Sequence, residues 1–270
     1  MSEKKVIDQT FEPQTVESLK QDLSNLGIKE GDLILVHASM KAIGWTSGGP
    51  QAVIQSLMDT ITTEGTLVFQ THSPTLSDPV EWENPPVPNN WHETIRNTMP
   101  AFDPNKTPST YLGVLPELFR KFPDVYRSYH PAFSISAWGK EAEQMTERHE
   151  LSYPLSDTSP LGQAYEREAK VLLLGVGYDS NTSFHLSEHR SHVRKEKTRG
   201  APLMKEGKTQ WITYADVDID DEPFEKIGAE FEQAYVVQKG KVGNAGARLF
   251  SIRKSVDFAT EWLKKNLSSQ

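Results

Sequence analysis

Three short apolar runs, set between helical patterns, constrain this chain more than any other feature. They are GDLILVHAS (31–39), TLVFQTH (66–72) and VLLLGVG (171–177), and each passes into polar or glycine-rich sequence. Continuous branched-aliphatic runs of this length are what a strand needs when both of its faces are covered. Residues 14–29 place Val16, Leu19, Leu23 and Leu26 at helical spacing, with Thr15 as N-cap beside Glu17 and Gly27 as C-cap. Residues 50–62 open after Gly48 and Gly49 and put Val53, Leu57 and Ile61 on one face. Further helices are predicted over 110–122, starting at Pro116 because proline suits a first turn, and over 160–169, 181–190 and 254–267. The last turns Val256, Ala259, Trp262 and Leu263 inward. Helix alternating with strand predicts an α/β core.

The 270 residues are read as a single domain, 1–270, carrying a proline- and tryptophan-rich insert over about 73–110. A stretch of this kind within a compact domain points to function rather than to a simple connection, and its aromatics argue for an ordered insert. The chain has no cysteine, which excludes disulfides, thiolate zinc sites and a cysteine nucleophile. The net charge of −8 argues against a nucleic-acid surface and suits cationic ligands. No run approaches the length of a membrane helix, and the start MSEKKVIDQTF has no apolar stretch behind its lysines, so a soluble cytoplasmic protein is expected.

Ligands of open α/β sheets bind beyond the carboxyl ends of the strands. Three such ends carry chemistry here. In VHASMKAIGWTSGG (36–49), His37 and Ser39 leave a strand, and Gly44, Gly48 and Gly49 let backbone approach a ligand ahead of a helix N-terminus. The plain alternative is a glycine-rich turn. His72 and Ser73 follow the second strand, where a histidine is usually a hydrogen-bonded loop residue. In GVGYDSNTSFHLSEHR (175–190), Ser180 stands where a dinucleotide fingerprint needs its third glycine. His185, Glu188 and His189 share a helical face, but their order is not that of a zinc protease helix. A histidine general base oriented by a carboxylate fits these residues better than a metal. The acidic run DVDIDDEPFE (216–225) reads as solvated loop, as a partner for that histidine, or as a landing surface for a polycation. A serine hydrolase lacks its G-x-S-x-G elbow here.

Taken in order, HASMKAIGWTSGGPQAV, EGTLVFQTHS, WENPPVPNNWHETIRNTMPAFDP, TPSTYLGVLPELFR, RSYHPAFSISAWG, SPLGQAYE, LLLGVGYDSNTSFHLSEHR and GKVGNAGARLF resemble the aminoglycoside 3-N-acetyltransferase family, across about residues 16–250. The resemblance implies a layered α/β/α fold with a mixed β-sheet, distinct from the GNAT fold, whose insert walls part of the acceptor cleft. It implies acetyl-CoA as co-substrate, no metal, and a cationic amine as acceptor, such as the 3-amino group of 2-deoxystreptamine. His37, Ser39, Met40, Lys41, Gly44, Trp45 and Gly49, with His72, Ser73, Thr107, Ser109 and Thr110, are the implied CoA contacts. His185 is the implied catalytic residue, and its implied acidic partner lies downstream, where Asp216, Asp218, Asp220 and Glu222 compete for the role, while Glu188 is the carboxylate that helical spacing itself offers. No nucleic acid or membrane partner is implied, and a homodimer is compatible with the resemblance. An alkyl ammonium has no lone pair, so a base must deprotonate the amine, and histidine titrates near neutral pH. With no cysteine to carry an acyl group, direct transfer is expected. Backbone N–H groups at Ser39 and Met40, or the Ser39 hydroxyl, are the expected oxyanion donors. A CoA-binding protein without turnover and a metal-dependent hydrolase are the competing classes.

Overall fold

The computed structural model describes residues 3–267. Seven strands form one mixed sheet in the order β3 (Tyr126–Arg127), β4 (Ile135–Gly139), β2 (Thr66–Gln70), β1 (Leu33–Ala38), β5 (Lys170–Leu174), β9 (Ala245–Ser251) and β8 (Gln238–Val242). β1 is parallel to both β2 and β5, with Val36 beside Phe69 and Leu172, and every other pairing is antiparallel. The three runs singled out in the sequence are therefore the adjacent parallel centre of the sheet. They end together, so their carboxyl ends open onto one edge.

Period-two alternation divides the apolar side chains of these strands between two helical layers. Ile34, Val36, Leu67, Phe69, Leu172 and Leu174 pack with Leu19 and Leu23 of the helix Val16–Leu26, Val53 and Ile54 of Gly49–Ile61, and Phe119 of Val114–Phe119. Leu35, Val68, Val171 and Leu173 face the other way, onto Phe184, Phe224, Phe231, Val256 and Leu263 of the helices Ser183–Ser191, Phe224–Ala234 and Ile252–Leu267. The result is a layered α/β/α arrangement.

Thr15 caps the first of these helices as expected, but its reciprocal partner is Ser18 rather than the neighbouring glutamate, and Gly27 closes it with φ 103°. The helix expected from Pro116 begins two residues earlier, at Val114, which places the proline within the first turn. The acidic run is a solvated loop only over residues 218–223, where Asp218, Asp221 and Glu222 are exposed. Its first residue, Asp216, is a fully buried member of β7 (Lys208–Val217), which pairs with β6 (Glu196–Lys205) in a separate hairpin, and its last two begin the helix Phe224–Ala234. The insert folds mainly as short 3-10 turns and the helix His92–Thr98. It is tied to the sheet by Arg127, whose guanidinium donates to the carbonyls of Thr71 (2.7 Å), Pro104 (3.1 Å) and Thr107 (2.5 Å) and to the hydroxyls of Ser73 and Ser134 (3.0 Å each). Among the described residues no helix is long and apolar enough to cross a membrane.

Candidate active site

Beyond the ends of β1, β2 and β5 lies a cavity of about 730 Å³. β1 delivers His37 and then Ser39, β2 delivers Gln70 and then His72, and the segment after β5 delivers Val176, Thr182 and His185. Its opposite wall is Tyr111–Pro116, with Phe133 beside it. Close packing at the strand ends depends on Gly175, where φ is 69° and an added Cβ would stand 2.3 Å from the Ala42 methyl. No other residue allows the turn after β5 to sit so tightly against the short helix Met40–Ile43.

His185 lies in the first turn of the helix Ser183–Ser191, and its Nδ1 is 2.6 Å from Oε2 of Glu188. The Glu188 side chain is wholly buried. Its other oxygen accepts from Nε of Arg194 at 2.6 Å and from the Asp220 N–H at 3.0 Å. Arg194 also reaches the Asp220 carboxylate at 3.2 Å and its carbonyl at 3.0 Å. A buried carboxylate persists as an ion only when it is paired and hydrogen-bonded in this way. Because an ionised carboxylate only accepts, Nδ1 of His185 carries the proton it donates, and Nε2 keeps its lone pair. The Phe224 ring packs 4.9 Å from the imidazole, fixing its plane. The arrangement is an imidazole oriented by a buried carboxylate at the edge of a large cavity.

The remaining acidic candidates do other work. Asp216 accepts from Nε of Arg199 at 2.6 Å and approaches His189 at 3.6 Å, not His185. Asp218 meets Lys197 at 3.1 Å on the surface. Asp220 reaches His185 only through Glu188 and Arg194, and the Glu222 N–H donates to Asp220. The i, i+3 spacing of His185 and Glu188 carried the signal that decides among them. Arg194, which steadies the pair, sits in the basic stretch HVRKEK and was not singled out.

His37 and His72 face the same cavity, and burial lowers the pKa of each to about 3, an effect to which His185 adds when it is protonated. Both are neutral imidazoles at any working pH, so neither repels an incoming ammonium. Met40 and Lys41 line this cavity and also a second hollow of about 530 Å³ bordered by Gly44, Trp45 and Gly49. Gly48 and Gly49, at φ 84° and 58°, lead into a thirteen-residue helix that no side chain caps. The Ser39 N–H is already bonded to the Leu174 carbonyl at 2.9 Å, which removes it as an oxyanion donor, whereas the Ser39 hydroxyl caps nothing.

Four further expected cofactor contacts do not line the cavity of His185. Ser73 is fully buried, donating to the Pro108 carbonyl at 2.7 Å. Thr107 accepts from the Asp103 N–H at 3.0 Å and lines a separate hollow of about 750 Å³ beside Phe102 and Tyr129. Ser109 is buried, with its N–H on Glu117 at 2.7 Å. Thr110 lines a fourth cavity, about 660 Å³, roofed by Trp82, Pro85 and Val87 of the insert and walled by Glu81, Glu83, Arg199 and Tyr214. This cavity adjoins that of His185. Two carboxylates of the insert are engaged in ion pairs, Asp78 with Arg96 (2.6 Å) and Glu81 with Arg199 (2.9 Å). Among the described residues no group of three histidine or acidic side chains is placed to hold a metal ion.

Comparison with known proteins gives a consistent result. The family model described as aminoglycoside 3-N-acetyltransferase matches residues 35–264. The prophage-derived aminoglycoside N(3')-acetyltransferase-like protein YokD of Bacillus subtilis is 47% identical over 264 residues, covering 97% of each chain. The crystal structure of YokD superposes with a TM-score of 0.97 at 46% identity, covering 99% of both chains. A binary complex of AAC-IIIb with CoASH superposes with a TM-score of 0.83 at 30% identity, covering 96% of this chain and 99% of the other. The fold is the one shared by these acetyltransferases and is not the GNAT fold.

Proposed function

The chain belongs to the aminoglycoside 3-N-acetyltransferase family, and from that premise we propose that it is a cytoplasmic enzyme transferring acetyl from acetyl-CoA directly to a primary amine. The acceptor amine is the 3-amino group of a 2-deoxystreptamine aminoglycoside or an amine of a similar polyamine, and His185 is the general base. The observation that carries this reading is the His185–Glu188 hydrogen bond of 2.6 Å in the wall of the large cavity.

The residues present suit a polyanionic thioester. Lys41 offers a cation to phosphate beside the positive dipole end of the helix Gly49–Ile61, whose Gly49 N–H is itself bonded to the Thr46 carbonyl at 2.9 Å. Coenzyme A supplies the activated acyl group. His185 takes a proton from the ammonium at Nε2, and Glu188 stabilises the imidazolium that results. Arg194 and the Asp220 N–H keep Glu188 in place while that charge comes and goes. As the amine attacks, the carbonyl oxygen gains negative charge, which the Ser39 hydroxyl and the Met40 N–H at the start of a helix are suited to meet. His185 releases that first proton to solvent, takes the second proton that the attacking nitrogen sheds as the amide forms, and delivers it to the departing sulfur, so that amide, thiol and one released proton balance. The low pKa of His37 and His72 leaves His185 as the cavity histidine for this proton traffic.

Thiol release from acetyl-CoA against a panel of 2-deoxystreptamine aminoglycosides and other polyamines tests the proposal. Amine-dependent release that falls about 10²–10⁴-fold in His185→Ala is expected. Tight CoA binding without turnover on any amine would instead support a CoA-binding member of the family that does not acetylate antibiotics.

A further inference from the structure

His72, Tyr111, Leu112 and Phe133 line both the cavity of His185 and the cavity beneath the insert, so they form the waist between the two. Tyr111 differs from the other three. Its φ is 65°, a left-handed conformation that an aromatic residue holds only against strain. The residue is 83% exposed, although it borders two cavities. It is fixed from both sides. The Thr110 N–H donates to the His72 carbonyl at 3.1 Å, and Gly113, at φ 86°, leads straight into the helix Val114–Phe119. Strain of this kind persists only where the surroundings impose it, and here they impose an open aromatic face at a junction.

The rings around it are already committed. Phe133 meets the edge of His72 at 5.4 Å and lies under the Arg199 guanidinium at 5.5 Å. Among the described residues, Tyr111 has no ring or cation over its face. Of the carboxylates nearby, Glu81 and Asp216 are held by Arg199, and Asp218 by Lys197. Glu83, on the insert, is the acidic side chain of that wall without such a partner. An ammonium passing from one cavity to the other meets this π-face at the waist, between Glu83 in one cavity and Asp179 and Asp221 in the other.

Resting on the acyl-transfer reading above, we propose that Tyr111 is a specificity-determining residue whose open ring face receives the acceptor's ammonium at the waist and aligns it toward His185. The contact is a cation–π attraction, which corresponds to about a 2- to 30-fold effect on amine affinity. It depends on the ring and not on the hydroxyl.

The test compares Tyr111→Phe, Tyr111→Leu and Tyr111→Ala with the unsubstituted chain in the thiol-release assay. The amine is the best acceptor among a 2-deoxystreptamine aminoglycoside, spermidine and 2-deoxystreptamine itself. Tyr111→Phe is expected to keep the amine KM. Tyr111→Leu and Tyr111→Ala are expected to raise it about 2- to 30-fold while kcat and the acetyl-CoA KM hold steady. An unchanged amine KM in Tyr111→Leu, or a loss that falls on kcat or on acetyl-CoA, overturns the proposal alone. Failure of the unsubstituted chain to acetylate any amine overturns the transfer reading and this proposal with it.

Discussion

Replacing Glu188 with glutamine alters a single terminal atom, yet the hydrogen-bond pattern dictates a large effect. In the native site Oε2 accepts from His185 at 2.6 Å, and Oε1 accepts from Arg194 at 2.6 Å and from the Asp220 N–H at 3.0 Å. All three partners are donors, and a glutamine has only one oxygen for them. If that oxygen stays with Arg194 and Asp220, the amide NH2 faces His185 and forces Nδ1 to accept. The imidazole proton then moves to Nε2, the position that must be free to take a proton from the amine. If the oxygen turns to His185, the NH2 confronts a guanidinium and a backbone N–H with no acceptor between them, which costs about 1–3 kcal/mol or more for a buried group. The first arrangement loses less, so the substitution traps the wrong tautomer. A carboxylate-to-amide exchange behind a catalytic imidazole lowers kcat by up to about 10⁴-fold in a serine protease, and a loss of roughly 10³–10⁴-fold is expected here. Steady-state thiol release should show the drop in kcat, with the acetyl-CoA KM nearly unchanged. Far-ultraviolet circular dichroism and a thermal melt check that the variant remains folded. A folded Glu188→Gln variant whose kcat lies within about threefold of the parent, well below the usual contribution of an oriented base, would refute the reasoning.

Asp216→Asn is expected to leave the pH dependence of kcat/KM in place, because Asp216 bonds to Arg199 rather than to His185, while lowering stability by about 3 kcal/mol in urea titration through the partly unpaired buried guanidinium. A shifted pH profile would instead return Asp216 to the catalytic pair. Stability itself should fall in acid. Burial lowers the pKa of His37 and His72 to about 3 and of His149 to about 4, and it holds His130 well below the usual range. The unfolded chain therefore binds more protons than the folded one below about pH 6.5, so each such histidine contributes stability that is complete above that pH and is lost as the pH falls toward 4 and 3. The slope is up to about 1.4 kcal/mol per pH unit for each group. A urea midpoint that stays level between pH 6.5 and 4.5 would contradict the burial of these rings.

Where the sequence was readable, one physical pattern dominated. The central strands β1, β2 and β5 are covered on both faces, so their apolar runs are unbroken and stand out. The edge strand β8, QKGKV, has a single buried residue, Val242, and carries no such pattern. The β6–β7 hairpin was hidden for a related reason, since charges at Glu196, Lys197, Arg199 and Asp216 mask its alternation. Asp216 looked solvated because of its acidic neighbours, and its burial follows from Arg199, seventeen positions away across the hairpin. Glu188 was within reach because its partner lies on the same helix. Arg194 and Tyr111 were not, because a support behind a carboxylate and a strained turn between two cavities arise only when distant segments meet.

The decisive structure is that of the chain with CoA and an acceptor amine bound together. The sulfur and the amine nitrogen should converge in the cavity of about 730 Å³, with the nitrogen within hydrogen-bond reach of Nε2 of His185 and Glu188 still on Nδ1. Sulfur emerging in another hollow, or an amine seated with His185 turned away from it, would contradict the assignment of His185 as the base.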